Sequence, residues 1–85
     1  MFIISGHVQG VFYRDSTKEQ ANALSITGYA KNLRDGNVEV LACGSQKSLK
    51  KLEAWLWHGP FYAEVESVVI EPIELDVLPK SFITN

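Results

Sequence analysis

At 85 residues the chain has room for one small domain and not for two. Its hydrophobic fraction of 46% and charged fraction of 21% are ordinary globular usage, which excludes disorder and collagen-like structure. Eight Lys and Arg against ten Asp and Glu give a net charge of −2, which argues against a polyanion binder and leaves room only for a local anion site.

A chain this short buries only roughly 60–65% of its unfolded surface, so its core has to be economical. One cysteine, Cys43, can make no internal disulfide, and two histidines do not suffice for a structural zinc site. Met1 to Ile4 carries no basic segment and runs into Ser5 and Gly6 too soon for a signal peptide. No apolar run approaches the roughly 18 residues of a membrane span. Repeats, low-complexity tracts and linkers are absent from the sequence. The expectation is a single unit over residues 1–85, reduced and cytoplasmic, with no membrane partner.

In chain order, Phe2 to Val8 is a β-rich run closed by Gln9-Gly10 and predicts a first strand. Ser16 and Glu19 have capping-box spacing, with Ala21 and Leu24 on one helical face, so a helix is expected from about Asp15 to Ser25 with a thin apolar stripe. Gly28 to Leu33 and Asn37 to Cys43 predict two strands joined at the tight-turn pair Asp35-Gly36, hence a hairpin. Ser45 can cap a second helix. Leu49, Leu52, Trp55 and Leu56 keep its spacing, and Gly59-Pro60 stops it. Val65 to Glu71 predicts a fourth strand and Ser81 to Thr84 a short last one.

The order βαββαβ with a short β tail predicts an α+β, ferredoxin-like two-layer sandwich, with two helices on one face of a mostly antiparallel sheet. Such a fold hosts enzymes, RNA binders and ligand sensors alike, so function has to be read from a site.

Two segments carry candidate chemistry. Gly6-His7-Val8-Gln9-Gly10-Val11-Phe12-Tyr13-Arg14 is a glycine-punctuated strand-to-helix loop that ends in arginine. Glycine permits positive φ, which lets successive N–H groups turn inward as an anion nest, and a helix N-terminus adds free donors and positive dipole. A guanidinium there grips two phosphate oxygens at once. An ordinary loop with an ion-paired surface arginine reads equally well from this stretch. The second segment is Gly28-Tyr29-Ala30-Lys31-Asn32. Asn32 breaks strand propensity, as functional residues do, and it also suits a turn residue preparing the hairpin.

Together the two segments resemble the signatures of the acylphosphatase family. Ile4, Ser5 and Gly6 to Arg14 follow its first signature, an apolar residue, any residue, then G-x-V-Q-G-V-x-F-R, with Tyr13 in place of phenylalanine. Gly28, Tyr29, Ala30, Lys31, Asn32, Gly36, Val38 and Gly44 fall in register with its second. The likeness continues through Trp55, Gly59-Pro60 and Phe82-Ile83.

The resemblance implies hydrolysis of the carboxyl–phosphate bond of acyl phosphates to a carboxylate and inorganic phosphate, with no metal and no cofactor. It implies that Arg14 and the loop amides of Gly10, Val11, Phe12, Tyr13 and Arg14 bind the phosphoryl group, and that the Asn32 carboxamide holds the attacking water. Inorganic phosphate is then product and inhibitor, and a monomer is expected. The alternatives are a phosphate- or carbamoyl-phosphate-binding module without turnover, and an RNA-binding module. The latter needs aromatic residues on central strands, where Val38, Glu39, Val40 and Leu41 stand instead, so no nucleic-acid partner is expected.

Asp15 departs from the family pattern. A carboxylate after Arg14 pairs with it, repels the substrate or favours the helix start, and a modest loss of phosphate affinity is expected. Lys31 either enlarges the positive field or is a solvated strand residue. His7 is expected on an exposed strand, His58 at a helix end, Cys43 as a small buried hydrophobe and Arg34 in the exposed turn.

Overall fold

The sheet follows from alternation. In the first strand Phe2 and Ile4 are buried while Ile3 and Ser5 are half-exposed. A computed structural model describes residues 1–85, in the order β1 (Phe2–His7), α1 (Tyr13–Ala23), β2 (Thr27–Asn32), β3 (Val38–Cys43), α2 (Gln46–Leu56), β4 (Glu64–Ile70) and β5 (Phe82–Thr84). The five strands lie in the order β4-β1-β3-β2-β5. Every pairing is antiparallel except that of β5 with β2. This is the ferredoxin-like α+β arrangement that the element order predicts. No helix is long and apolar enough to cross a membrane.

Register aligns the core in rows. Phe2 lies opposite Val40 and Val40 opposite Ala30; Ile4 lies opposite Val38 and Val38 opposite Asn32. Both rows sit on the face that the helices cover. Tyr13 and Ala21 of α1, Leu52 and Leu56 of α2, and Phe82 of β5 join Phe2, Ile4, Ala30, Val38 and Val40 in one buried cluster. Asn32 therefore ends a core-facing row at the rim of the sheet. Ile3, Glu39 and Lys31 form the alternate row on the open face.

The hairpin turns at the predicted pair. Gly36 has φ +93°, Leu33 N–H donates to the Asn37 carbonyl at 2.8 Å, and Asn37 N–H donates to Asp35 Oδ1 at 3.0 Å. α2 opens on Ser45, whose hydroxyl accepts from Ser48 N–H at 3.1 Å, and its end is followed by Gly59 at φ +67°. Trp55 packs on the core, whereas Trp57, two residues on and so on another side of the helix, is exposed.

α1 differs from expectation. It begins at Tyr13, two residues early, and Ser16 is no cap: its N–H already donates to the Phe12 carbonyl at 3.0 Å, inside the first turn. The N-cap is Phe12 in the left-handed conformation (φ 63°, ψ 23°), with no side-chain cap. The buried stripe is Tyr13, Thr17 and Ala21, four residues apart, and Thr17 satisfies its hydroxyl by donating to the Tyr13 carbonyl at 2.7 Å.

Gly6 belongs to the sheet rather than the loop. The β1–β4 register shifts between Ser5 and Gly6, and a Cβ on Gly6 would stand 2.1 Å from the Glu64 carbonyl oxygen.

Candidate active site

Between the end of β1 and the first turn of α1 the chain lacks the usual ways of satisfying its donors. Gly10 has φ +76° and Phe12 φ 63°, so the backbone curls rather than extends. The N–H groups of Gly10, Val11, Phe12, Tyr13 and Arg14 donate to no main-chain or side-chain acceptor. Five successive donors without a partner beside a helix N-terminus are the kind of cradle that can take an anion. A Cβ on Gly10 would meet nothing within 4 Å, so that glycine is required by its conformation, not by crowding.

This cradle is one wall of a cavity of about 260 Å³ lined by Val8, Gly10, Phe12, Tyr13, Arg14, Asp15 and Asn32. Arg14 and Asn32, 18 positions apart in the chain, thus share one hollow on the helix-covered side of the sheet. Val11 is the one loop residue of the expected set outside the lining, because its side chain is buried in the core. Its N–H belongs to the run of free donors. Phe12 is 76% exposed at the cavity's edge.

The Arg14 guanidinium has no side-chain carboxylate within ion-pair distance; the protein's one such side-chain pair is Lys31 with Glu39. The loop's arginine is therefore not paired with an Asp or Glu side chain. Instead Nη1 donates to the main-chain oxygen of Asn85, whose own N–H donates to the Ala30 carbonyl at 2.9 Å. Asp15 borders the cavity and is exposed, without pairing to Arg14. The Asn32 carboxamide makes no hydrogen bond within the protein, although its residue is anchored by register to Val38. A guanidinium with spare donors, a donor cradle and a free carboxamide can together bind a tetrahedral dianion and hold a water beside it.

Tyr13 departs from the family signature without entering this chemistry. Its hydroxyl donates to the Leu56 carbonyl at 2.6 Å, at the end of α2, and its ring lies 5.7 Å from that of Trp55. Burial pushes its phenol well above the ordinary value. The extra oxygen satisfies a helix-end carbonyl that phenylalanine would leave to another donor.

Lys31 does not enlarge the cavity's field. Strand alternation turns it to the open face, where Nζ lies 3.6 Å from Glu39 Oε2 and 5.7 Å from the centre of the Tyr29 ring. Tyr29 donates to the same Glu39 oxygen at 2.5 Å, and its phenol is pushed up to about 12 by burial and by that carboxylate. His7 and Arg34 are exposed as expected, and His58 follows the end of α2, also as expected. Cys43 is only half-buried, since it ends β3 beside an apolar hollow at the opposite pole, which Leu49, Ile73 and Leu75 also line.

One contributor escaped sequence reasoning. Gln9 donates through Nε2 to the Leu33 carbonyl at 2.8 Å and the Asn37 carbonyl at 2.9 Å. Its place inside the signature marked it as special but did not say what it would touch.

Comparison with known proteins bears on the family and the fold. A family model described as Acylphosphatase matches residues 1–84. An acylphosphatase of Halorhodospira halophila is 56% identical over 79 residues, which is 93% of this chain and 85% of the relative. An acylphosphatase structure from Coxiella burnetii superposes with a TM-score of 0.92 at 42% identity, covering 99% of this chain and 87% of that one. One from Bacillus subtilis gives 0.91 at 28% identity, covering 99% and 93%.

Proposed function

The chain belongs to the acylphosphatase family and hydrolyses acyl phosphates, and from that premise we propose how its residues divide the work. The phosphoryl group sits in the 10–14 cradle, where the N–H groups of Gly10, Val11, Phe12, Tyr13 and Arg14 and the Arg14 guanidinium share its oxygens. The observation that carries this is the run of free donors opening onto the cavity that holds both Arg14 and Asn32.

Phosphoryl transfer spreads charge over the equatorial oxygens, so fixed donors and positioning supply most of the catalysis. The Asn32 carboxamide orients a water opposite the leaving carboxylate. An amide cannot take that water's proton, so a phosphate oxygen of the substrate accepts it. The new P–O bond forms as the carboxyl–phosphate bond breaks, and the departing carboxylate needs no strong acid. Neither a guanidinium nor a carboxamide changes protonation near neutrality, which supports a flat pH–rate profile there.

Our reading is metal-independent. No three His, Cys, Asp or Glu side chains gather where they could hold an ion, and the donors named above already match the charge of a phosphoryl group. We further assign residues 1–85 to one cytoplasmic unit acting as a monomer, inhibited by its product phosphate.

Benzoyl phosphate hydrolysis, followed with and without excess EDTA, tests the scheme. Equal rates in both arms are expected, together with competitive inhibition by inorganic phosphate. A rate that collapses with EDTA and returns with added divalent ion would overturn the metal-free assignment.

A further inference from the structure

Asn32 closes the β2–β3 ladder opposite Val38, but the cradle follows β1, whose ladder with β3 stops short of it. Main-chain pairing between β1 and β3 ends at Ile4 opposite Val38, while β1 runs on to His7 against β4 alone. Beyond that row nothing in the ladder fixes the 8–12 loop against the hairpin. Gln9 spans the gap with its side chain. Both of its partners are carbonyl oxygens, which only accept, so the nitrogen end of the amide must face them and both hydrogens are used. The two carbonyls belong to Leu33 and Asn37, which also bond to each other across the hairpin neck at 2.8 Å. Gln9 immediately precedes Gly10, the first cradle donor; Leu33 immediately follows Asn32.

We propose that Gln9 is a positioning residue for the hydrolysis: its doubly donating amide clips the phosphate cradle to the hairpin neck and so sets the separation between the bound phosphoryl group and the water held by Asn32. This rests on the roles assigned above to the cradle and Asn32. Gln9 touches neither substrate nor water. Losing the clip leaves the cradle's donors in place and lets the Asn32 end drift, so turnover suffers more than binding. A misplacement on the order of 1 Å is enough to cost up to about 100-fold in rate.

A double-mutant cycle on the full chain separates this from a merely structural role. Gln9→Ala is expected to lower kcat for benzoyl phosphate about 10- to 100-fold, with the inhibition constant for inorganic phosphate within about threefold of wild type. In an Asn32→Ala background the same change should cost less than about threefold, because the group it positions is already gone. Multiplying losses, or a Gln9→Ala enzyme with wild-type kcat, would overturn the inference. Wild-type kcat in Asn32→Ala alone would instead overturn the assignment of Asn32, and this inference with it.

Gln9→Glu keeps the side chain's size and carries the test if the alanine variant does not fold. Ionised, its carboxylate faces two carbonyl oxygens and donates nothing; protonated, it donates to one of them. Its kcat relative to wild type is expected to rise at least about fivefold between pH 7.5 and pH 5, following that protonation. A ratio that stays constant across this range would overturn the proposal.

Discussion

At the start of α2 the Ser45 hydroxyl accepts from Ser48 N–H, and the first turn is closed by the chain itself. At the start of α1 no side chain does this: Phe12 holds a left-handed cap conformation, and the N–H groups of residues 10–14 face no acceptor. The same helix-end physics applies to both, since each leaves orphan donors. One helix consumes them for stability, and in the scheme proposed above the other keeps them for the phosphoryl group. On that scheme a serine or aspartate cap at α1 would strengthen the helix and occupy donors the phosphoryl group would use.

That contrast can be broken most severely at Arg14. Arg14→Lys keeps the charge and loses the two-pronged grip, and kcat/KM for benzoyl phosphate is expected to fall by roughly 10³-fold or more. A loss below tenfold would mean that the free N–H groups suffice alone. Asn32→Ala leaves the donors intact and removes the water's holder. Steady-state assays should show kcat lowered about 100-fold, with phosphate inhibition changed less than about threefold. Equal losses in both quantities would move Asn32 into the binding machinery.

Ser45→Ala sharpens the comparison from the capped side. Urea denaturation should report about 1 kcal/mol of lost stability while kcat stays at the wild-type value, because this N-terminus serves only its own helix. The smallest effect is expected at Asp15, the one carboxylate bordering the cavity. Asp15→Asn should tighten inhibition by phosphate about two- to threefold at low salt and by less at 1 M, as expected of an exposed charge. Unchanged inhibition at low salt would show that this carboxylate serves the helix start alone.

Much of this arrangement was legible in the residues because much of it is encoded in side chains. Ser45, Asp35-Gly36 and Gly59 punctuate α2 and the hairpin through local chemistry, and alternation or helical spacing supplies the rest. The start of α1 was not legible, because its cap is a backbone conformation adopted by a phenylalanine, which no propensity favours. The Ser16–Glu19 spacing pointed to the wrong turn for the same reason. In the site, Arg14 and Asn32 stand out through motif spacing; strand parity turns Asn32 to the helix-covered face, and the first turn of α1 carries Arg14 there. The same parity, applied to Lys31 and Glu39, turned a nearby cation away from the cavity. What Gln9 touches could not be read without knowing that the β1–β3 ladder ends at Ile4 and Val38.

The guanidinium's contact with Asn85 joins positions 71 apart in sequence, and it depends on the parallel docking of β5 beside β2. Such a contact forms only after a large closure entropy has been met, whereas α2 and the β2–β3 hairpin need little more than their own neighbourhoods. A half-folded chain with both helices in place would lack the contact that braces the guanidinium, so activity is expected to return only as β5 docks. Benzoyl phosphate turnover followed during refolding should then lag recovered helix content and report the long-range closure that helices alone do not.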